Sequence, residues 1–206
     1  DWGYMDEKNN ENNALNLKSE IRRIASNPYK ILDAPGLKDD FYIDVLDWTV
    51  QNNIVIALDK KIYSWCPILG KACMLISLPQ EESITSIKSS PWGDKLSFGF
   101  SNGRVKIFDI KTQKYEREFK GQCWRVGAMD WIPGSLATGS RDKSICIRDI
   151  RDPRNYSMKF DAHNMEVCGV KWSPQNRYLA SDGNDNKFVI WDPRNAYEKL
   201  ASKEHK

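Results

Sequence analysis

The sequence predicts an all-β chain assembled from repeated blades, a β-propeller, and three observations carry that prediction. A unit of about 40 residues recurs four times. Short runs within each unit alternate apolar and polar residues, as half-buried strands do. Tryptophan is abundant, eight in 206 residues, which suits a β fold built on large recurring aromatic anchors.

The fullest copy runs from His163 to Asp192. Its VCGVKW run (Val167 to Trp172) alternates like a strand. Ser173-Pro174-Gln175-Asn176 then breaks it, because proline removes a ladder donor and asparagine tolerates a turn. Tyr178 to Ser181 resumes the strand, Gly183 to Asn186 turns, and Lys187 to Trp191 forms a third run. A meander this small cannot bury enough apolar surface alone, so it needs neighbours of its own kind.

Those neighbours lie upstream. Trp48, Ser89, Trp131 and Trp172 close the first strand of successive copies and fall 41, 42 and 41 residues apart. Trp65, Phe108, Arg148 and Trp191 close the third strand, and a turn residue (Asp59, Asn102, Asp142, Asp185) stands six residues before each. With the dipeptides Phe108-Asp109, Arg148-Asp149 and Trp191-Asp192, this register matches the four-stranded blade of a WD40 propeller. The blade copies are expected at about 41–66, 83–109, 124–150 and 163–192.

Ahead of the blades, residues 1–20 are rich in Asn, Asp, Glu and Lys and read as a flexible lead-in, with a short helix near Ala14 to Ile21. Residues 21–206 then form a partial propeller. Two prolines and a glycine keep the stretch after Ile21 extended or turning, and from Phe41 to Leu46 the alternation predicts a strand.

The repeated polar residues read as structural. In WD repeats a His, a Ser or Thr, an Asp and a Trp form one hydrogen-bonded network, and His163, Ser181, Asp185 and Trp191 fit it in the fourth copy. The third copy keeps Thr138 and Asp142 but has Gln122 and Arg148 in place of His and Trp. The first two copies keep Asp59 and Trp65, then Asn102 and Phe108.

Composition narrows the function classes. Lys and Arg number 31 against 28 acids and are scattered, which speaks for a solvated surface and against a nucleic-acid partner. No apolar run approaches the ~18 residues of a membrane span, and no signal peptide is visible. Five cysteines, none in a C-x-x-C pair, lie mostly in apolar runs and read as buried reduced thiols. Asn155-Tyr156-Ser157 matches a glycosylation sequon with nothing else pointing to secretion. His163 belongs to the network and His205 to a charged tail. No catalytic constellation, phosphate loop or metal cluster is present, so neither an enzyme nor a cofactor is expected.

Three stretches go beyond a generic WD repeat. PYKILDAPGLKDDFYIDVLDW (Pro28 to Trp48), WRVGAMDW with SLATGSRDKSICIRDIR (Trp124 to Arg151) and EVCGVKWSPQNRYLASDGNDN (Glu166 to Asn186) resemble the fizzy/fizzy-related family. Its members are seven-bladed WD40 co-activators of the anaphase-promoting complex, and PYKILDAP is closer to the fizzy-related branch. The resemblance implies an adaptor that binds destruction-box and KEN-box degrons for ubiquitin-dependent degradation in the cell cycle. Its partners would be anaphase-promoting complex subunits and degron-bearing cell-cycle proteins, in the nucleus and cytoplasm.

Carried over to this sequence, Leu32 would help form the destruction-box leucine pocket and Asp33 would pair with the degron arginine. Asp40 would receive the KEN lysine, and Asn184 would contact the same motif on the top face. The plainer alternatives are packing for Leu32 and turn capping for Asp33 and Asp40. The family's C-box and Ile-Arg tail have no counterpart here, and four blades of seven are expected to leave an open sheet edge at each end. A second expectation is therefore a truncated or diverged WD scaffold without degron binding, favoured by Ser89, Gln122, Arg148 and Asp182, the last where the family usually has glycine.

Overall fold

Each predicted repeat folds as one antiparallel sheet of four strands in sequential order. The computed structural model describes residues 24–79, 83–195 and 197–205. The lead-in over residues 1–20 and the helix expected near Ala14 lie outside the described residues. The chain divides into two units, one ending at Asp33 and one running from Ala34 to Lys206. In the first, residues 24–33 carry no strand, and Ile24, Tyr29 and Ile31 are strongly exposed.

The second unit holds the blades. Blade one comprises β1 (Leu46–Trp48), β2 (Ile54–Leu58), β3 (Lys61–Cys66) and β4 (Lys71–Ser77). Blade two comprises β5 (Ile84–Ser89), β6 (Lys95–Phe100), β7 (Val105–Asp109) and β8 (Lys114–Phe119). Blade three follows with β9 (Val126–Ile132), β10 (Ser135–Ser140), β11 (Ser144–Asp149) and β12 (Met158–Asp161). Blade four has β13 (Val167–Trp172), β14 (Leu179–Gly183), β15 (Lys187–Asp192) and β16 (Glu198–Glu204). The sheets therefore run further than the alternation marks, by one outer strand each.

The strand expected from Phe41 to Leu46 is a correction. Only Leu46–Trp48 joins the first sheet as β1. The residues before it spend backbone groups on the next blade: the Asp44 amide donates to the Thr85 carbonyl (3.0 Å) and the Ile87 amide donates to the Asp44 carbonyl (2.7 Å). Asp44 and Ser86 form a parallel bridge, which ties the entry segment to blade two.

The core sits between blades rather than within them. Val55, Ile62, Ile87, Leu96, Phe98 and Phe100 form a cluster shared by blades one and two. A second cluster, with Val105, Ile107, Phe119, Val126 and Trp131, joins blades two and three, and a third joins blades three and four through Ile145, Val167, Leu179 and Trp191. Each such fully buried side chain contributes about 1.5–3 kcal/mol. Sheet faces stack on sheet faces, so one blade's apolar residues stay buried only while the next blade is in place.

Acid clasps reinforce two of these junctions. Asp47 on β1 accepts from the Ser89 amide (2.8 Å), the Ser89 hydroxyl and Lys88 Nζ (2.6 Å). Asp130 on β9 accepts from the Trp172 amide (2.8 Å) and Lys171 Nζ (2.7 Å), in the same way. One position before each aligned strand end therefore reads Asp47, Lys88, Asp130, Lys171, and the acids hold blades one to two and three to four.

The thiols also depart from expectation. All five cysteines are free, yet only Cys146 is buried, whereas Cys73 and Cys123 are exposed. Cys73 lies in the exposed first part of the outer strand β4 and Cys123 on the loop entering β9. Asn155 of the sequon is engaged at both ends, its side-chain oxygen accepting from the Lys120 amide (2.9 Å) and its carbonyl from Arg148 Nη1 (2.7 Å). Among the described residues no helix is long and apolar enough to cross a membrane, and no group of three metal-binding side chains converges.

Candidate functional site

The blade register locates a surface where loops enter the inner strands. Six residues before the aligned strand ends stand Tyr42, Ser83, Arg125 and Glu166, one per blade. Arg125 is the hub. Its Nε and Nη2 donate side-on to the Glu166 carboxylate (2.6 and 3.0 Å), and Nη1 donates to Asp40 Oδ2 (2.9 Å). Its guanidinium also lies over the Tyr42 ring, 4.8 Å from the centroid.

Hydrogen bonding to Glu166 dominates the electrostatics of Arg125, outweighs its partial burial, and with Asp40 raises its pKa above the ordinary arginine range. Asp40 is braced from its other oxygen, because Oδ1 accepts from the Tyr42 amide (2.9 Å). It thus caps the turn that enters blade one while its carboxylate stays partly exposed. The Glu166 carbonyl accepts from the Asn184 amide (2.9 Å), so a bonded chain runs from Asp40 through Arg125 and Glu166 to the backbone of Asn184, whose side chain is exposed. Two carboxylates share the Arg125 guanidinium, and Asp40 is the more accessible of them. A fixed, partly exposed carboxylate of this kind can take a lysine ammonium in a charge-assisted bond.

The structure brings Asp40 and Asn184 onto this bonded chain. Leu32 and Asp33 lie in the first unit, and both are exposed there. Arg125 and Glu166 were not singled out in the sequence. Their signal was available, since they lie 41 residues apart, one repeat period, with opposite charges.

The polar networks of blades three and four are closed. In blade four, His163 Nδ1 meets Asp185 Oδ1 (2.9 Å), Nε2 meets the Ser181 hydroxyl (2.8 Å), and Trp191 Nε1 donates to that hydroxyl (2.8 Å). Blade three reaches the same closure with other residues. Gln122 Oε1 accepts from the Thr138 hydroxyl (2.9 Å) and Arg148 Nη2 (3.0 Å), while Gln122 Nε2 donates to the Thr138 and Ser144 carbonyls (3.1 and 3.2 Å). Arg148 is fully buried, and burial pulls its pKa down. Carbonyls of Lys120 (2.8 Å) and Asn155 (2.7 Å) hold its Nη1. Asp59 turns with φ 55°, Trp65 and Phe108 are buried, and Asn102 Oδ1 accepts from the Arg104 amide (3.2 Å).

The residues read as signs of divergence are therefore integrated. Ser89 is clasped by Asp47, and Gln122 and Arg148 complete each other's bonding. Asp182 lies over Gly169, where a Cβ would stand 2.2 Å from Asp182 Oδ1, so the glycine on β13 makes room for the acid on β14.

Comparison with known proteins agrees with this architecture. The family described as "WD domain, G-beta repeat" matches residues 154–192. "Protein FIZZY-RELATED 1" of Arabidopsis thaliana is 41% identical over 184 residues, covering 89% of this chain and 39% of that protein. "Anaphase-promoting complex subunit cdh1" of Dictyostelium discoideum is 38% identical over 176 residues, covering 83% of this chain and 23% of that one. The chain is a homologue of the fizzy-related proteins. It spans about two fifths or less of the length of these relatives. A chain of the solved "Crystal Structure of Mitotic Checkpoint Complex" matches with a TM-score of 0.84 at 36% identity, covering 88% of the chain described here and 56% of the solved one.

Proposed function

We propose that this chain is part of a non-catalytic adaptor that brings degron-bearing cell-cycle proteins to the anaphase-promoting complex. On this reading it works in the nucleus and cytoplasm. Asp40 and Asn184 contact a KEN-box, and Leu32 and Asp33 contact a destruction box. One observation carries the proposal: a braced carboxylate at Asp40 is linked through Arg125 and Glu166 to Asn184, which leaves a lysine-accepting edge beside an exposed amide. An extended peptide suits such a surface, because rigid loops present fixed partners while the peptide bears the ordering entropy. Single-motif affinity is then weak, and two motifs on one chain strengthen it through effective concentration.

Fluorescence anisotropy with labelled Lys-Glu-Asn and destruction-box peptides tests the reading. Asp40→Asn should weaken the first peptide by roughly tenfold, about 1.4 kcal/mol, and leave the second unchanged. Asp33→Asn should do the reverse. Folded variants that bind neither peptide differently from the parent chain would replace this reading with that of a WD scaffold without degron recognition.

A further inference from the structure

Beside Asp40, between the strand entrances of blades two and three, lies a pocket of about 320 Å³ lined chiefly by Lys38, Asp40, Ser83, Trp124, Arg125 and Arg141. Its charges are unevenly matched. Arg125 is committed to Glu166 and Asp40. Lys38 Nζ donates to the Ser83 hydroxyl (2.8 Å), and the Arg141 guanidinium lies over the Trp124 ring, 5.3 Å from its centroid. Neither Lys38 nor Arg141 has a carboxylate partner among the described residues.

The pocket is built to hold those cations in place. The Ser140 hydroxyl donates to the Trp124 carbonyl (3.0 Å), and the Arg141 amide donates to the Arg125 carbonyl (3.0 Å). Trp124 is nevertheless 57% exposed, so the indole that carries Arg141 also presents surface to a ligand. Among the described residues, Lys38, Arg125 and Arg141 stand against Asp40 and Glu166, three cations to two carboxylates. A lysine arriving at Asp40 makes the excess two. An arginine stacked on an indole retains donors for a carboxylate or phosphate, with less orientational entropy to lose than a free side chain.

We infer that this pocket is an anionic subsite: Lys38 and Arg141 receive an acidic side chain, carboxylate or phosphate, of the same extended peptide whose lysine meets Asp40. The inference rests on reading Asp40 as a lysine acceptor. It extends that reading from a single lysine contact to recognition of paired opposite charges.

The test uses the full chain. Lys-Glu-Asn peptides carrying a flanking Glu, Gln or phosphoserine are compared by anisotropy. Glu should bind roughly three- to tenfold tighter than Gln, and the preference should vanish in Lys38→Met and Arg141→Gln, with thermal melts confirming that both fold. A gain for phosphoserine alone identifies phosphate as the source, and equal gains identify charge of either kind. Lysine-dependent binding with no acid preference would overturn the subsite and leave the lysine contact standing.

A second arm does not need the lysine. A capped Gly-Glu-Gly peptide, with Gly-Gln-Gly as control, is titrated while ¹⁵N NMR follows Arg141 Nε and Trp124 Nε1. Shifts with the acid alone support the subsite even if the lysine peptides fail, and no selective shift at either group overturns it.

Discussion

At the scale of single residues, Ala137 shows what a small departure from repeat symmetry costs. Trp131 Nε1 donates to the Ser97 hydroxyl of the preceding blade (3.1 Å). One repeat later, Trp172 stands at Trp131's position and Ala137 at Ser97's, because both Ser97 and Ala137 pair opposite the residue before the strand-closing position. Trp172 Nε1 is buried without a partner among the described residues. The orphan follows from one missing hydroxyl. Ala137→Ser should restore the bond and raise stability by about 1 kcal/mol, read as a higher urea midpoint at unchanged m. A lower midpoint would mean that the added oxygen costs more in packing than the bond returns.

At the scale of elements, blade three isolates the contribution of a turn carboxylate, because its network has the amide of Gln122 where blade four has His163. Burial works against ionisation of Asp142. Hydrogen bonds from the Ser144 hydroxyl (2.5 Å) and the Cys123 and Ser144 amides (2.9 and 3.1 Å), together with Lys159, outweigh it and hold the carboxyl below its ordinary pKa. A depressed carboxyl stabilises the fold fully above the unfolded value near 3.9 and stops doing so as pH falls through the lower folded value. Asp142→Asn should therefore cost about 1–3 kcal/mol at pH 7, with the gap to the parent narrowing below about pH 4. Urea titrations at pH 7 and pH 3 measure both gaps, and an undiminished gap in acid would show that the carboxylate's charge is not what stabilises the turn.

Elements also separate what the sequence made legible from what it hid. The inner strands carry the buried apolar residues that meet neighbouring blades, and in blades two and three they are buried almost throughout. Among the outer strands, KYEREF in β8 and EKLASKE in β16 are almost wholly exposed and held mainly by their ladder bonds, so no apolar period marks them. Phe41 to Val45 departs for the opposite reason: it has the alternation of a strand, but Asp44 gives its amide and carbonyl to blade two. The site divides in the same way. Asp40 and Asn184 were visible through family motifs, whereas Arg125 and Glu166 gain their roles only when consecutive blades bring one register position together.

At the scale of the whole second unit, the clasps decide how firmly blades hold one another. Asp130 is buried and serves two donors of very different exposure: the Trp172 amide lies within the junction, while the Lys171 side chain is 71% exposed. Water competes for the lysine but cannot replace the carboxylate at the amide. Lys171→Ala should therefore cost less than about 1 kcal/mol. Asp130→Ala leaves a buried amide unpaired and loses a charged acceptor, at a cost of about 2–4 kcal/mol. Asp47 has the same pair of donors, the Ser89 amide and Lys88, but the Lys88 side chain is only 26% exposed, so Lys88→Ala should cost more than Lys171→Ala. Urea unfolding of the four single variants measures these costs. Losses at both acids that exceed those at their lysines, with the smallest at Lys171, mean that the blades are locked by strand-to-strand hydrogen bonds. Equal losses at both partners would assign the locking to the ion pairs, and salt would then weaken the junctions in proportion.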